Sequence, residues 1–194
     1  TRGIIFGGSA YPANFNTIDY ITIATAGNAT DFGDELNTSG GGGGSCSSLT
    51  RGIIAGGGPV NNVISFVTIA TTGDAQNFGD LLNEVRACAG CSNNTRGIFA
   101  GGGTPTAINV IQFITMSSAG DATDFGDLAA AKQYHASAAS TTRGMIFGGQ
   151  TSNSVNSRIN VVEYVTIANT GNAADFGDMN VKRGSPAGLS SNTR

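Results

Sequence analysis

The sequence predicts an all-β fold made of four similar units, and three observations lead to this prediction. A Thr-Arg-Gly triplet followed by a Gly-Gly doublet recurs at Thr1, Thr50, Thr95 and Thr142, with spacings of 49, 45 and 47 residues. Each unit is rich in β-branched and aromatic residues, and we find no helical periodicity of useful length. Glycine supplies 30 of the 194 residues, roughly twice its usual share, which is typical of a fold with many tight turns.

The repeats divide the chain into a single domain, residues 1–194, of four units: 1–49, 50–94, 95–141 and 142–192. Thr193-Arg194 has the form of the opening of a further unit. A period of this length is typical of propeller blades and of stacked arrays.

Each unit predicts four strands. The first is a short apolar run that ends in the glycine doublet, as in residues 53–57, and the second alternates with an aromatic two residues before a threonine, as in residues 64–69. The third is a turn and a short strand that ends in Phe-Gly-Asp. The fourth is rich in small residues, as in residues 86–92, which suits a crowded position near a central axis.

Four four-stranded sheets predict a small four-bladed β-propeller. In that architecture we expect residues 185–192 to complete the sheet begun by residues 3–8, which closes the ring and removes exposed strand edges. The alternative is an open stack of sheets that continues into further copies.

The apolar run with its glycine doublet, for example Gly7-Gly8, and the aromatic that follows it resemble the kelch repeat. The aromatic is present in all four units, as Tyr20, Phe66, Phe113 and Tyr164. The chain has no Trp, which kelch blades usually carry, and the phenylalanine of Phe-Gly-Asp is expected in its role.

A longer pattern is similar to kelch-like repeats in structural proteins of aquatic phages. It comprises Thr-Ile-Ala-Thr-Thr-Gly-Asp-Ala at 68–75, Phe-Gly-Asp, and Ser-Asn-Asn-Thr-Arg-Gly at 92–97. This resemblance implies a virion or extracellular location and a structural or adhesion role in a multi-copy assembly such as a phage appendage or fibre. The partners it implies are other copies of the chain or other structural subunits.

The charge of the chain excludes some partners. Charged residues make up 12% of the chain and the net charge is −3, so there is no basic footprint for nucleic acid. No apolar run approaches the roughly 20 residues needed to span a bilayer, so membrane insertion is not expected.

Charges that recur in every unit are expected to form structural ion pairs. We expect the arginine of each Thr-Arg-Gly to pair with a Phe-Gly-Asp carboxylate and to tie neighbouring strands or sheets together. The residues concerned are Arg2, Arg51, Arg96 and Arg143, with Asp34, Asp80, Asp127 and Asp178.

No catalytic residue, cofactor or metal is predicted. His135 is the single histidine and has no recurring Ser or Cys partner, so the chain is not expected to be an enzyme. Cys88 and Cys91 have CxxC spacing without a second ligand pair, so zinc is not expected either. Asp31, three residues before Asp34, and its equivalents are expected in turns, with Ca²⁺ as the alternative.

The loops after the glycine doublets are where the units differ. The spacing from the doublet to the threonine of the second strand varies between units, whereas the spacing from that threonine to the Phe-Gly-Asp carboxylate is constant. Variable loops on a rigid scaffold are usual binding sites, so an alternative function is a lectin that binds surface glycans through these loops. The candidate contact residues are Tyr11, Phe15, Asn61, Thr106, Asn153, Asn156 and Arg158.

Overall fold

The computed structural model describes residues 1–190, apart from the side chain of residue 39, and it confirms the all-β prediction. The first sheet has three strands, β1 (Arg2–Ala10), β2 (Ala13–Thr22) and β3 (Thr30–Ser39). The second has β4 (Gly44–Ser47), β5 (Arg51–Ala55), β6 (Asn61–Thr68) and β7 (Gln76–Val85). The third has β8 (Ala89–Ser92), β9 (Arg96–Ala100), β10 (Val110–Thr115) and β11 (Thr123–Asp127). The fourth has β12 (Ala136–Ala139), β13 (Arg143–Phe147), β14 (Val161–Thr166) and β15 (Ala174–Asp178).

Each sheet is an antiparallel meander in chain order, and the small-residue strand that precedes Thr-Arg-Gly forms one edge of the second, third and fourth sheets. One 3₁₀ turn, Val155–Ser157, lies in the loop between β13 and β14. The four predicted strands are therefore present in the first three units, where the small-residue strand of one unit joins the sheet of the next, and the described part of the fourth unit has the first three.

The sheets pack face to face, and the small-residue edge strand β8 lies against both β4 and β12. Hydrophobic clusters fill the spaces between successive sheets, for example around Ile53, Phe78 and Met116 between the second and third. Similar clusters lie between the first and second sheets and between the third and fourth.

Glycine is required where neighbouring sheets approach most closely. Gly90 of β8 faces the main chain of β4, and a Cβ placed on it would lie 2.6 Å from the carbonyl oxygen of Ser45. Since that separation is far below van der Waals contact, only a residue without a side chain fits. This explains the small residues predicted for the crowded inner edge.

The strand predicted to close a ring does not join the first sheet in the described part of the chain. β1 pairs with β2 alone and is the edge strand of a three-stranded sheet. Residues 185–190 instead form an irregular segment beside β12, where the hydroxyl of Ser190 donates a hydrogen bond to the carbonyl oxygen of Ala139 at 2.6 Å. Residues 191 and 192 of the predicted closing strand lie outside the described residues.

Candidate functional site

The arginine of Thr-Arg-Gly links each sheet to the next one along the chain. Arg2 Nη1 donates a hydrogen bond to the carbonyl oxygen of Ile69 at 2.9 Å. Arg51 does the same to Met116 at 2.8 Å. Arg96 donates to Ile167 at 3.0 Å and to Ala168 at 2.8 Å. The same contact is therefore made at all three junctions between sheets.

An aromatic pair on the arginine's own sheet holds the guanidinium in place. The guanidinium carbon of Arg51 lies 4.7 Å from the centroid of the Phe66 ring, and Phe66 packs edge-to-face on Phe78 at 5.8 Å. A cation over an aromatic face is attracted by the ring quadrupole, so the ring orients the side chain toward the next sheet. The other three units repeat this arrangement with their own arginine and aromatic pair.

The predicted pairs between these arginines and the Phe-Gly-Asp aspartates are not formed. Arg51 lies opposite Thr68 in β6, whereas Asp80 lies opposite Val63 of the same strand. Five residues of strand separate the two positions by about 17 Å, which is too far for an ion pair. The other predicted pairs fail in the same way, and among the described residues the sole salt bridge joins Lys132 to Glu163.

The Phe-Gly-Asp strand instead binds a glycine turn of the next unit through its main chain. Gly120 and Ala122 donate to the carbonyl oxygens of Phe78 and Asp80 at 2.6 and 2.8 Å. The carboxylate of Asp121 accepts a hydrogen bond from the Asp80 amide at 3.0 Å. Equivalent bonds join the first unit to the second and the third to the fourth. The sequence contains a signal for this turn, a Gly-Asp/Asn-Ala triplet that recurs in every unit, but the triplet does not show which strand the turn binds.

The same surfaces are exposed at the two ends of the array. The phenylalanine of Phe-Gly-Asp is 2% exposed in the first three units, but Phe176 of the fourth is 59% exposed. The glycine turn of the first unit, residues 27–29, is exposed, whereas Ala75 and Ala122, the equivalents of Ala29 in the second and third units, are 5% exposed. The Arg143 guanidinium has no hydrogen-bond acceptor among residues 1–190. The fourth sheet thus presents one half of the repeated contact and the first sheet presents the other half.

A groove runs along the open edge of β1, between this strand and β4 of the second sheet. Its volume is about 420 Å³. Apolar side chains of both sheets line it, among them Ile4, Phe6 and Ile53, together with residues 45–47. It occupies the place that β4 takes beside β5 and β8 takes beside β9.

The candidate loop residues lie on connections between equivalent strands, and the structure brings some of them together. The side chain of Tyr11 is fully exposed and Phe15 is 44% exposed in the first hairpin. The side chain of Asn61 hydrogen-bonds within its own turn. Its amide nitrogen donates to the Pro59 carbonyl at 2.8 Å, and its amide oxygen accepts from the main-chain amide of Val63 at 3.0 Å. Asn156 and Arg158 are exposed in and beside the 3₁₀ turn.

Thr106 and Asn153 line one small cavity between the third and fourth loops. The volume of the cavity is about 130 Å³. Gln133 also lines it, and its amide nitrogen donates a hydrogen bond to the side-chain oxygen of Asn153 at 2.7 Å. Cavities that enclose a drug-sized ligand are typically about 300–1,000 Å³. This cavity is therefore a small pocket, lined by both polar and apolar atoms, that suits a small part of a ligand.

Two of the buried titratable groups, Glu35 and Glu163, lie in strands, and two, Lys132 and His135, lie in the connection between β11 and β12. Lys132 and Glu163 are almost fully buried, and a Glu163 oxygen also accepts from the Ala129 amide at 2.7 Å. Burial, with Lys132 nearby, lowers the pKa of His135 to about 3, although the Ala100 carbonyl at 3.0 Å opposes the shift. Burial also raises the pKa of Glu35 to about 7, because this carboxyl occupies the position that is Leu81 in the second unit.

The three cysteines are free thiols. Burial raises the pKa of Cys88 to about 11 and of Cys91 to about 12, and it raises that of Cys46 further, so none is a nucleophile at neutral pH. Within residues 1–190, no three His, Cys, Asp or Glu side chains are grouped as ligands for a metal ion. Asp175 accepts a hydrogen bond from the Gly177 amide at 3.3 Å, which is the turn contact predicted for its position.

Comparison with known proteins adds no assignment: neither the family models nor the curated proteins compared with this chain match it. Within the described residues, no helix has the length and apolar character needed to cross a bilayer.

Proposed function

We propose that this chain is a non-enzymatic structural module that works in a multi-copy assembly, such as a phage appendage or another extracellular fibre. The observation that carries the proposal is the repeated contact between sheets. The arginine arm and the glycine turn join successive sheets three times, and the matching halves of that contact are exposed on the fourth and first sheets. Heterologous contacts of this kind generate rings or filaments.

The same proposal covers the architecture. We take the four sheets as kelch-like, propeller-type blades, since they pack face to face with their small-residue strands along one inner edge. The exposed faces and the open edge of β1 favour a repeat that is completed by further blades.

Light scattering of the purified chain over a concentration series, without added ligand, tests the structural role. We expect the mean mass to rise with concentration and to fall on dilution. A constant monomer mass through millimolar concentration would contradict the proposed assembly.

A second candidate function is glycan binding at the variable loops. The cavity shared by Thr106 and Asn153 favours this candidate, since it places hydrogen-bonding groups from two loops together. A glycan array with the wild-type chain and with Asn153→Ala tests it, and Asn156→Ala is the control because Asn156 is exposed but does not line the cavity. Binding that is lost in Asn153→Ala alone would support the lectin function, and an array without any binding would reject it.

A further inference from the structure

We propose that two copies of this chain join head to tail, with residues 186–190 of one copy filling the open edge of β1 in the other. The proposal rests on the multi-copy role proposed above and specifies its interface. The two copies together then form one continuous array, in which the fourth sheet of one copy packs on the first sheet of the next.

Residues 186–190 already lie where an inner strand lies. Their contacts with β12 repeat the contacts that β8 makes with β4: the hydroxyls of Ser190 and Ser92 donate to the carbonyl oxygens of Ala139 and Ser47 at 2.6 and 2.7 Å. A Cβ on Gly188 would meet the Ser137 carbonyl oxygen at 2.6 Å, the same separation found for Gly90 and Ser45. This segment therefore has the place of an inner strand, but no strand pairs with it in the described residues.

The first sheet has the opposite deficiency. Within the described residues β1 lacks the inner strand that β5, β9 and β13 each have, and the groove of about 420 Å³ marks the missing position. A strand placed there pairs with β1 and stacks on β4 at the same time. The unpaired segment and the open edge are thus complementary.

Leu189 supplies the apolar contact. It is 97% exposed in the single chain and occupies the position of Cys46 and Cys91. Those two sulfurs pack on the Thr-Arg-Gly glycines of the next sheet, Gly97 and Gly144. In the same register Leu189 enters the groove beside Gly52 of the second copy, where Ile4 and other apolar side chains surround it.

The rest of the two faces meets in the same placement. The exposed Phe176 and its strand receive the glycine turn of residues 27–29, and Arg143 reaches the carbonyl oxygen of Ile23, as Arg96 reaches that of Ile167. One rigid placement therefore satisfies the strand pairing, the turn and the arginine. This is why we assign the surface to a second copy, since the chain itself carries both halves of each contact.

Sedimentation velocity of the full chain over a concentration series tests the proposal with a matched pair of variants. Leu189→Asp places a charge at the centre of the interface, whereas Leu49→Asp makes the same change at another exposed leucine, 84% exposed and outside the groove. Neither side chain is buried in the single chain, so both variants keep the fold. We expect Leu189→Asp to raise the dissociation constant at least about tenfold and Leu49→Asp to leave it unchanged.

A cross-link tests the register. Cys46 lies opposite Ile53 in β5, so position 189 of one copy is expected opposite position 4 of the other. An oxidised mixture of Leu189→Cys chains and Ile4→Cys chains should give a covalent dimer of the two, because opposed residues in antiparallel strands are within disulfide range.

Three results would overturn the proposal. Association that Leu189→Asp leaves unchanged rejects this interface and retains the structural role. A constant monomer mass rejects both. A monomeric disulfide in a chain that carries both cysteines rejects the second copy as the occupant, because it places the segment on β1 of its own chain.

Discussion

The guanidinium of Arg51 donates a hydrogen bond to the main-chain carbonyl oxygen of Met116 across the junction between the second and third sheets, at 2.8 Å. Met116 is 1% exposed, so its carbonyl lies in a part of the protein from which water is largely excluded. A charged donor on a buried carbonyl stabilises more than a neutral one does, and loss of that donor leaves the oxygen without its partner. The arginine thus joins two sheets without any acidic residue.

The first prediction compares this arginine with its equivalent in the fourth unit. We expect Arg51→Met to lower the free energy of unfolding by about 2 kcal/mol, because it removes the hydrogen bond and the contact over the Phe66 ring. Arg143→Met removes only the contact over Tyr164 and should cost less than about 1 kcal/mol. Urea unfolding at a concentration where the chain is monomeric measures both. Equal losses would show that the inter-sheet bond contributes nothing.

The second prediction concerns the glycine turn. Asp121→Ala removes the acceptor of the Asp80 amide and should cost about 1 kcal/mol. Asn28 is the equivalent residue in the first unit, where the whole turn of residues 27–29 is exposed, so Asn28→Ala should change stability by less than about 0.5 kcal/mol.

Asp80→Ala completes this test. The Asp80 side chain forms no salt bridge, and its main chain makes the contacts, so this variant should also lie within about 0.5 kcal/mol of the wild type. Thermal unfolding of the three variants side by side gives the comparison. A large loss of stability in Asp80→Ala would instead support the ion pair that the sequence predicted.

Local patterns in the sequence predicted the strands well, because alternation and the glycine doublets depend on residues close together in the chain. The aromatic of the second strand, such as Phe66, and the Phe-Gly-Asp motif both lie in strands as expected. The partner of the arginine that recurs in each unit could not be predicted from such local patterns. Arg51 and Met116 are 65 residues apart, and the acceptor is a main-chain oxygen that no residue type encodes.

The open edge of β1 was also not predicted from the sequence. The small-residue pattern of residues 185–192 predicted an inner strand, and the structure places its described part, residues 185–190, at that position against β12. The pairing of this segment with β1 was predicted from the order of the repeats along the chain. That order is the same in a closed ring and in an open array, and only the direction in which successive sheets pack distinguishes the two architectures.

The third prediction addresses the buried pair of Lys132 and Glu163. Lys132→Met leaves the Glu163 carboxylate buried without its cation and should cost about 3–5 kcal/mol. Adding Glu163→Gln should recover most of that loss, because Gln112 in the preceding unit accepts the Leu82 amide at 2.7 Å just as Glu163 accepts that of Ala129. Denaturant unfolding of both single variants and the double variant measures the coupling. Additive losses would mean that the two side chains do not interact.

The fourth prediction is a loss of stability in acid that depends on His135. Burial lowers its pKa from 6.5 to about 3 in the folded chain, so between these values the unfolded chain binds a proton that the folded chain does not. The stabilising effect of the uncharged histidine is therefore fully present above pH 6.5. It falls as the pH drops toward 3, by about 2 kcal/mol between pH 6.5 and 5.

His135→Cys reproduces the residue at the equivalent position 88, whose sulfur also donates a hydrogen bond to a strand carbonyl, and it should remove this part of the pH dependence. The difference between the two pH profiles isolates the histidine, since Glu35, which acts in the opposite direction between pH 4.5 and 7, is common to both chains. Parallel profiles over this range would show that His135 titrates alike in the folded and unfolded chains.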